Sequence, residues 1–294
     1  MKPHFFSICA VVRNEGPYLL EWISWHLNEG VDHFYIYDNE STDDTALILL
    51  PLVLARKVTY RRWPGTQQQV TIYNHCLKEF SKESEWIAFI DADEFLSAAV
   101  FSFVEAFKRF LSSQRKLLDI AIGCVAVKWL LFGSNYHDTI RPGLVIERFT
   151  GRGERCDKHV KSIVNTDLAT SAGRDPHTFY TRGKAIDERG NVLPVEYAVL
   201  PTGSADLFRC NHFITKSREE YFERKLSKPD ANSGRTYDPQ RVEEMFRAHD
   251  LGDYFDTSLA DKAITVKKEM EKWQKLPPSP APEQEVKLSK SADN

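Results

Sequence analysis

The chain is poor in cysteine, and its cysteines do not form the pairs that metal sites or disulfide frameworks need. Its 294 residues include five cysteines, an odd number, and no CxxC motif. Wide, irregular spacing argues against a zinc site and against a disulfide framework, so we predict reduced thiols buried in a core. The five are Cys9, Cys76, Cys124, Cys156 and Cys210.

The sequence also lacks a long apolar run and a strong net charge. Its N-terminal apolar run is only about eight residues long before Arg13, too short to span a membrane, and no small-residue cleavage site follows it. The formal net charge is −3, far from the basic surface typical of nucleic-acid binding. We therefore expect a globular, cytoplasmic protein with no transmembrane segment and no nucleic-acid partner.

Two nucleotide-binding motifs are missing as well. There is no GxxxxGK[ST] loop and no GxGxxG fingerprint. Because these glycine-rich turns cradle phosphates in P-loop NTPases and in dinucleotide-binding enzymes, both classes become less favoured.

The first part of the chain, residues 1–116, alternates β-rich apolar runs with segments of helical periodicity. Strands are predicted at 5–12, 31–38, 57–62 and 86–91, each followed by a helix. This alternation predicts right-handed βαβ units in a mostly parallel α/β sheet. In such sheets ligands bind beyond the carboxyl ends of the strands.

Residues 117–276 have a different pattern. Apolar runs such as "DIAIGCVAVKW", "GLVIERF", "KHVKSIVN" and "DLFRCNHFIT" predict strands, and helices follow near 217–226, 239–249 and 259–275. We expect a mixed second half of the same domain. The Pro-rich, polar segment 277–294 is typical of a disordered tail.

The segment "WIAFIDADEFL" (86–96) ends a predicted buried strand with three crowded acids, Asp91, Asp93 and Glu94. A divalent cation such as Mg²⁺ or Mn²⁺ shared by such acids would cancel their repulsion and could bind the diphosphate of an activated donor. Alternatively, Asp93 caps a following helix and Glu94 lies in its first turn. The position at the ligand-binding edge favours the metal for the aspartates and leaves Glu94 as capping support.

At this point the motifs resemble a known family. The segments "FSICAVVRNEGPYLLEWISWHLNEGVDHFYIYDNESTDDT" and "WIAFIDADEFL" are similar to the front half of GT-A glycosyltransferases in the family 2-like and family 92 group. The segments "KWLLFGSN", "KHVKSIV", "DPHTF" and "CNHFITKSREEYFERK" resemble the later part. The resemblance covers about residues 4 to 226. Each motif alone is weak, but their order is specific. Two departures are mild: Phe213 stands where the family commonly has Tyr, and "DAD" replaces the frequent "DID".

The resemblance implies a GT-A fold, a Rossmann-like nucleotide-diphospho-sugar transferase fold, and a set of site residues. Asp91, Asp93 and His212 would bind Mn²⁺ or Mg²⁺. The nucleotide-binding residues would be Arg13, Asn14, Glu15, Asp38, Asn39, Asp43, Asn74, Asp91 and Lys216. The sequence leaves Lys158, Lys161 and His177, in the later resembling segments, open between a site and a solvated face.

The implied reaction is metal-dependent transfer of a sugar from a UDP-sugar to an acceptor hydroxyl, with inversion. Inversion needs a base beside the acceptor oxygen, and the second half offers Glu147, Asp157 and Asp175, with Asp138 as another. The sequence does not choose among them. A glycan or lipid-linked acceptor in polysaccharide assembly is expected, and the basic, amphipathic segment "TKSREEYFERKL" leaves peripheral membrane contact open.

Two other functions stay open. A protein could keep the fold and bind a nucleotide sugar without turnover, since fold does not fix function. A haloacid dehalogenase-type phosphatase also uses an Asp-x-Asp pair, but normally on its first strand and with Thr or Val where this chain has Phe95.

Overall fold

The structure is a computed structural model that describes residues 1–227 and 234–275. The strands are β1 (His4–Val12), β2 (His33–Asp38), β3 (Val58–Arg62), β4 (Ser84–Phe89), β5 (Glu94–Ala98), β6 (Ile122–Leu131), β7 (Gly151–Arg152), β8 (Val160–Asn165), β9 (Ala169–Ala172), β10 (Phe179–Thr181), β11 (Lys184–Ile186), β12 (Phe208–His212) and β13 (Tyr254–Phe255). The helices are α1 (Gly16–Asn28), α2 (Thr45–Leu54), α3 (Gln69–Phe80), α4 (Phe103–Leu118), α5 (Val145–Arg148), α6 (Arg218–Ser227), α7 (Pro239–His249) and α8 (Ala263–Gln274), with a 3₁₀ turn at Ala260–Lys262.

A nine-stranded sheet organises the chain, in the order β3-β2-β1-β4-β8-β6-β12-β5, with β11 beside β6. The first four strands in this order run parallel, and a helix lies between each pair that is consecutive in sequence. Strand β8 is antiparallel to both of its neighbours, β4 and β6, whereas β12 is parallel to β6. The predicted α/β architecture, a mostly parallel sheet with a mixed second half, is therefore confirmed.

Both halves of the chain contribute strands to this one sheet. Helix α4 spans residue 116, at which the sequence pattern divides the two halves. The predicted tail, 277–294, lies outside the described residues.

Aromatic side chains fill the core on both faces of the sheet. On one face Phe6 packs edge-on against Phe103 and Phe107 of α4. On the other face Tyr73 of α3 packs against Phe89 of β4. Each buried ring removes roughly 150–250 Å² from water, so these contacts dominate the attachment of the helices to the sheet.

Two buried tryptophans of α1 join this helix to the edge of the sheet. The Trp22 indole N–H donates to the carbonyl of Glu94 at 2.7 Å, and that of Trp25 donates to the carbonyl of Leu96 at 2.8 Å. These bonds satisfy the polar atoms of otherwise apolar rings, which buried indoles require. Both tryptophans are thus part of the core and not a sugar-stacking surface.

The expectation that Glu94 begins a helix is wrong. Glu94 begins the edge strand β5, which pairs antiparallel with β12 so that Glu94 lies opposite His212. The local acids fit a helix cap, but as part of β5, Phe95 and Leu96 are buried in the core and pair with β12. Tertiary burial thus overrides the local capping pattern.

The strand predicted from "GLVIERF" is also wrong, because this segment forms the short helix α5. The buried carboxylate of Glu21 accepts the backbone N–H groups of Val145 and Ile146 at 2.8 and 3.1 Å. It therefore satisfies two donors that the first turn of a helix leaves unpaired. A partner 124 residues away in sequence cannot be recognised from an apolar run alone.

The five cysteines all lie in described parts of the chain and are free, and all except the half-buried Cys156 are buried. In the ranges 1–227 and 234–275, no helix combines the length and apolar character needed to cross a bilayer.

We predict that Glu21 makes folding stability depend on pH. Burial raises the pKa of Glu21 from 4.5 to about 7. The two backbone hydrogen bonds and the charges of Arg148 and Lys216 lower that pKa, but burial outweighs them. A group with a raised pKa contributes stability fully below its unfolded pKa and loses that contribution as pH rises through its folded pKa. Between about pH 4.5 and 7, wild type should lose about 3 kcal/mol relative to Glu21→Gln, measured by urea unfolding.

The matched control is Glu105→Gln, at a half-exposed glutamate of α4 that pairs with Arg109. Its unfolding free energy should follow that of wild type within about 0.5 kcal/mol at every pH. If Glu21→Gln and wild type also show parallel pH profiles, Glu21 does not carry this dependence.

Candidate functional site

A cavity of about 320 Å³ opens at the edge of the sheet where β1, β2 and β4 end. Parallel strands end at the same edge, so the loops that follow them meet there. Residues from β6, β12 and α6 close the opposite side. Six of the predicted site residues line this cavity: Arg13, Glu15, Asn39, Asp91, Asp93 and His212.

A second cavity, of about 390 Å³, adjoins the first, because Glu15 and Arg224 line both. Three more predicted residues line it, Asn14, Asp43 and Lys216. The structure therefore brings nine predicted site residues to two neighbouring openings.

The loops after β1 and β2 hold each other in place. Asn14 has a positive φ of 57°, which asparagine tolerates better than most residues. Its backbone N–H donates to the Ser41 hydroxyl at 2.9 Å, and its side-chain oxygen accepts the N–H of Thr42 at 2.8 Å. Asp43 accepts the N–H of Gly16 at 2.9 Å. The "RNE" and "DNESTDD" motifs thus form one hydrogen-bonded unit.

Two predicted nucleotide-binding residues, Asp38 and Asn74, lie outside the linings of both cavities. Asp38 is buried and accepts the N–H of Ser41 at 2.7 Å and the Tyr60 hydroxyl at 2.5 Å. Asn74 accepts the backbone N–H of Ala172 at 2.8 Å, tying α3 to β9. In this structure both shape the surrounding loops and strands.

Asp91 is held by two side chains. One carboxylate oxygen accepts from Gln69 at 2.9 Å, and the other binds the Lys161 ammonium at 2.7 Å. Lys161 is 1% exposed and also lies 3.4 Å from Glu94. Burial disfavours the charged lysine, but the neighbouring Asp91 and Glu94 raise its pKa well above the usual range. The buried ammonium of Lys161 therefore lies between the carboxyl groups of Asp91 and Glu94.

Asp93 is held from the other side. Its Oδ2 binds an Arg224 guanidinium nitrogen at 2.6 Å, and its Oδ1 lies 3.5 Å from Nε2 of His212. Burial alone would raise the pKa of Asp93, but His212 and Arg224 outweigh it and hold that pKa well below the usual range. Asp93 is thus a buried carboxylate.

Glu94 is fully buried behind the aspartates. Its Oε2 accepts the backbone N–H of Asp91 at 2.8 Å, and its Oε1 lies 3.8 Å from Nδ1 of His212. Within residues 1–227 and 234–275, neither Oε1 nor that Nδ1 has a hydrogen-bond partner. Burial raises the pKa of Glu94 well above its usual range, Asp91 and Asp93 raise it further, and Lys161 opposes them.

The donor set fits a divalent cation that has few protein ligands. The described residues contain no group of three or more His, Cys, Asp or Glu side chains arranged around a metal. However, Asp93 Oδ1 and His212 Nε2 lie 3.5 Å apart, and Mg²⁺ commonly takes one or two carboxylates, with phosphate and water completing its shell. His212 Nδ1 lies 3.8 Å from Glu94 Oε1, so this carboxyl group is near enough to orient the ring while Nε2 points toward Asp93.

The predicted base candidates lie outside both cavity linings. Glu147 binds Lys267 at 2.5 Å and accepts the N–H of Leu144. Asp175 accepts the backbone N–H groups of His177 and Thr178 at 2.8 and 2.9 Å. Asp157 accepts both the backbone N–H and the ring Nδ1–H of His159. Asp138, the fourth candidate, also lines neither cavity.

Several residues of the site were not singled out from the sequence. Gln69, Arg224 and Tyr237 line the first cavity, and Lys161, which the sequence left open, belongs to its ion network. No sequence signal pointed to Arg224, whose partner Asp93 is 131 residues away. Arg224 and Lys225 of α6 line the cavity, so the segment considered for membrane contact is partly engaged within the protein.

The family model and the similar sequences point to the same family. The family model for glycosyltransferase family 92 matches residues 2–193, more than half of the chain. Glycosyltransferase family 92 proteins of Ricinus communis and Oryza sativa subsp. japonica are 32% and 30% identical over 42% and 56% of this chain. A third, from Arabidopsis thaliana, is 29% identical over 58% of it. These matches cover 23%, 28% and 30% of the relatives, so the chain spans less than a third of their length.

Solved structures give a more distant likeness. S. aureus TarS in complex with UDP-GlcNAc is 13% identical, with a TM-score of 0.44 over 92% of this chain and 72% of that chain. Glucosyl-3-phosphoglycerate synthase from Mycobacterium tuberculosis is 18% identical, with a TM-score of 0.29 over 43% of this chain and 44% of that one. At these identities and TM-scores, the likeness says nothing about what this chain binds.

We predict that Lys161 is required for stability as well as for the site. Lys161→Met keeps the side-chain volume but leaves Asp91 and Glu94 without their buried cation. Removing one partner of a buried pair costs about 3–5 kcal/mol, and we expect the lower end because Asp91 is partly exposed. Urea unfolding at neutral pH measures this loss.

Lys158→Met is the matched control, because Lys158 is exposed and lies three positions earlier in the chain. It should change the free energy of unfolding by less than about 0.5 kcal/mol. Equal stability of the two variants would show that the buried ammonium does not hold the acids together.

Proposed function

The chain belongs to glycosyltransferase family 92, and on that basis we propose that it transfers a sugar from a UDP-sugar to a hydroxyl of a glycan or lipid-linked acceptor. The observation that carries this proposal is the cavity at the carboxyl edge of the sheet, which Asp91, Asp93 and His212 line together with three basic side chains. A nucleoside diphosphate carries the negative charge that such a lining would accept, and an activated sugar is attached to it.

The basic residues support a diphosphate in this cavity. Arg13, Arg224 and Lys225 line it beside the acids. Charge-assisted hydrogen bonds from such groups to phosphate oxygens are stronger than neutral ones, and they grow in value as negative charge develops on a leaving group. Lys216, in the adjoining cavity, would contact the phosphates from that side.

The nucleoside end is proposed at the loops after β1 and β2. Glu15 and Asn39 line the cavity there, and Asn14 and Asp43 hold the two loops together. Asp38 and Asn74 would support the uridine by fixing the turn after β2 and the position of α3.

The metal is proposed to be Mn²⁺ or Mg²⁺. Asp93 and His212 would hold it, and Asp91, whose oxygens bind Gln69 and Lys161, would act mainly through its charge beside the diphosphate. When bound, such an ion stabilises the charge on a departing UDP.

We further propose inversion by direct displacement, which requires a base on the acceptor side. Glu147, Asp157 and Asp175 are the candidates by sequence. A phosphatase of the haloacid dehalogenase type is less favoured, because the Asp-x-Asp pair follows the fourth strand of the chain and not the first. The proposed setting is polysaccharide assembly in the cytoplasm. Peripheral membrane contact would then arise through a lipid-linked acceptor.

Isothermal titration with UDP, with and without Mn²⁺, tests the donor and the metal together. For wild type we expect Mn²⁺ to tighten UDP binding at least about tenfold, equivalent to about 1.4 kcal/mol. Asp93→Asn should lose most of this gain, because the variant lacks the ionised ligand oxygen.

Asp119→Asn is the matched control, since Asp119 is exposed at the end of α4 and has a left-handed backbone that asparagine also adopts. Asp119→Asn should keep the full tightening of UDP binding by Mn²⁺. If Asp93→Asn also keeps this tightening, the metal assignment is wrong. If wild type binds UDP but transfers or hydrolyses no UDP-sugar, a binding function without turnover replaces the proposal.

A further inference from the structure

A hydrogen-bonded pair, Asp157 and His159, lies beside the donor cavity, and we propose that His159 is the base that removes the proton of the acceptor hydroxyl. This inference rests on the proposed function. From the sequence, only carboxylates were considered for the role of acceptor base.

The hydrogen bonds fix the tautomer that a neutral His159 ring adopts. Oδ1 of Asp157 lies 2.6 Å from Nδ1 of His159 and also accepts the His159 backbone N–H at 2.8 Å. Since a carboxylate only accepts, Nδ1 carries the donated proton, and in the neutral ring the lone pair on Nε2 is left to take a proton. The same acid–histidine division of roles orients the base of many hydrolases.

Asp157 itself is poorly suited to be the base. Burial alone would raise its pKa, but hydrogen bonds from His159 outweigh burial and lower that pKa to about 2. So acidic a group would rarely hold a proton taken from an alcohol. Its charge instead stabilises the imidazolium that forms when His159 is protonated.

The packing of Trp129 places the pair next to the proposed donor. The His159 and Trp129 ring centroids are 5.1 Å apart, and Trp129 lines the donor cavity. Trp129 also contacts the ring of His212, with the ring centroids 4.5 Å apart. One indole therefore contacts both the proposed base and the proposed metal ligand.

The strand register fixes which way His159 points. The N–H of Trp129 donates to the carbonyl of His159, and the N–H of Asp157 donates to the carbonyl of Trp129, at 3.2 and 2.8 Å. Lys161, two positions along the same strand direction, binds Asp91. Because alternate residues share a face, His159 and Lys161 lie on the site's face of the sheet.

Exposure distinguishes His159 from a second histidine on the same tryptophan. The His159 side chain is 34% exposed, so an acceptor can approach it from solvent. His177 also contacts Trp129, at 5.3 Å, but its Nδ1 is bonded to the carbonyl of Val160 at 2.8 Å. His177 Nδ1 thus binds a carbonyl and not a carboxylate, which makes His177 a natural comparison.

In the proposed step, the acceptor oxygen forms a bond to the anomeric carbon with its lone pair. The bond between that carbon and the β-phosphate oxygen breaks, and its electron pair leaves with UDP. The hydroxyl proton passes to Nε2 of His159, and Asp157 stabilises the resulting imidazolium.

The test measures UDP release from UDP-glucose, UDP-galactose and UDP-N-acetylglucosamine in Mn²⁺, with water in place of the acceptor. Loss of a general base typically lowers rates by about 10²–10⁴-fold. His159→Gln should therefore lower kcat at least about 100-fold while UDP affinity stays within about threefold of wild type. Asp157→Asn should show a smaller loss of kcat, and His177→Gln should keep more activity than either.

A rescue experiment separates catalysis from structure. His159→Gly leaves space for added imidazole, which should restore part of kcat if a base is missing and none if only packing is lost. His159→Gln that releases UDP at the wild-type rate overturns the base assignment and leaves the proposed function intact. The base assignment is also overturned, with the proposed function intact, if the His159 variants lose UDP affinity together with kcat and added imidazole restores neither. Wild type that binds UDP but releases none from any donor overturns both.

Discussion

The structure of the site depends on one electrostatic constraint: Asp91 and Asp93, between β4 and β5, and Glu94, at the start of β5, crowd together and need basic partners from elsewhere in the chain. Asp91 and Glu94 are met by Lys161, and Asp93 is met by Arg224. Unpaired charges would cost several kcal/mol each in this environment, so these contacts are a condition for folding this edge of the sheet. The repulsion that seemed to call for a metal is thus largely offset by the protein's own cations.

This network also determines which atoms face the cavity. Lys161 and Gln69 occupy the oxygens of Asp91, whereas Oδ1 of Asp93 faces His212. The strand order makes this possible, because β8 lies next to β4 and carries Lys161, and β12 lies beside β5 and carries His212. Stability and the proposed donor binding therefore rest on the same side chains, and a change at either cation should affect both.

The parts of the fold and site that follow local patterns could be predicted from the sequence. Alternating strands and helices specify the parallel half, acids at the end of a predicted strand identified Asp91 and Asp93, and the family resemblance supplied Arg13. Lys161 and Arg224 could not be assigned, because their partners lie 70 and 131 residues away in sequence. The helix of Val145–Arg148 depends in the same way on a distant carboxylate. No one-dimensional pattern records such pairings, so the ion network and the Asp157–His159 pair emerged only from the structure.

A crystal structure of the protein grown with UDP and Mn²⁺, with anomalous scattering recorded for manganese, tests the central claim most directly. The account predicts one strong anomalous peak within coordination distance of Asp93 Oδ1, His212 Nε2 and the diphosphate, with UDP in the cavity lined by Arg13 and Trp129. A bound UDP in that cavity without a manganese peak between Asp93 and His212 would contradict the metal assignment. UDP bound elsewhere on the protein would contradict the proposed donor site itself.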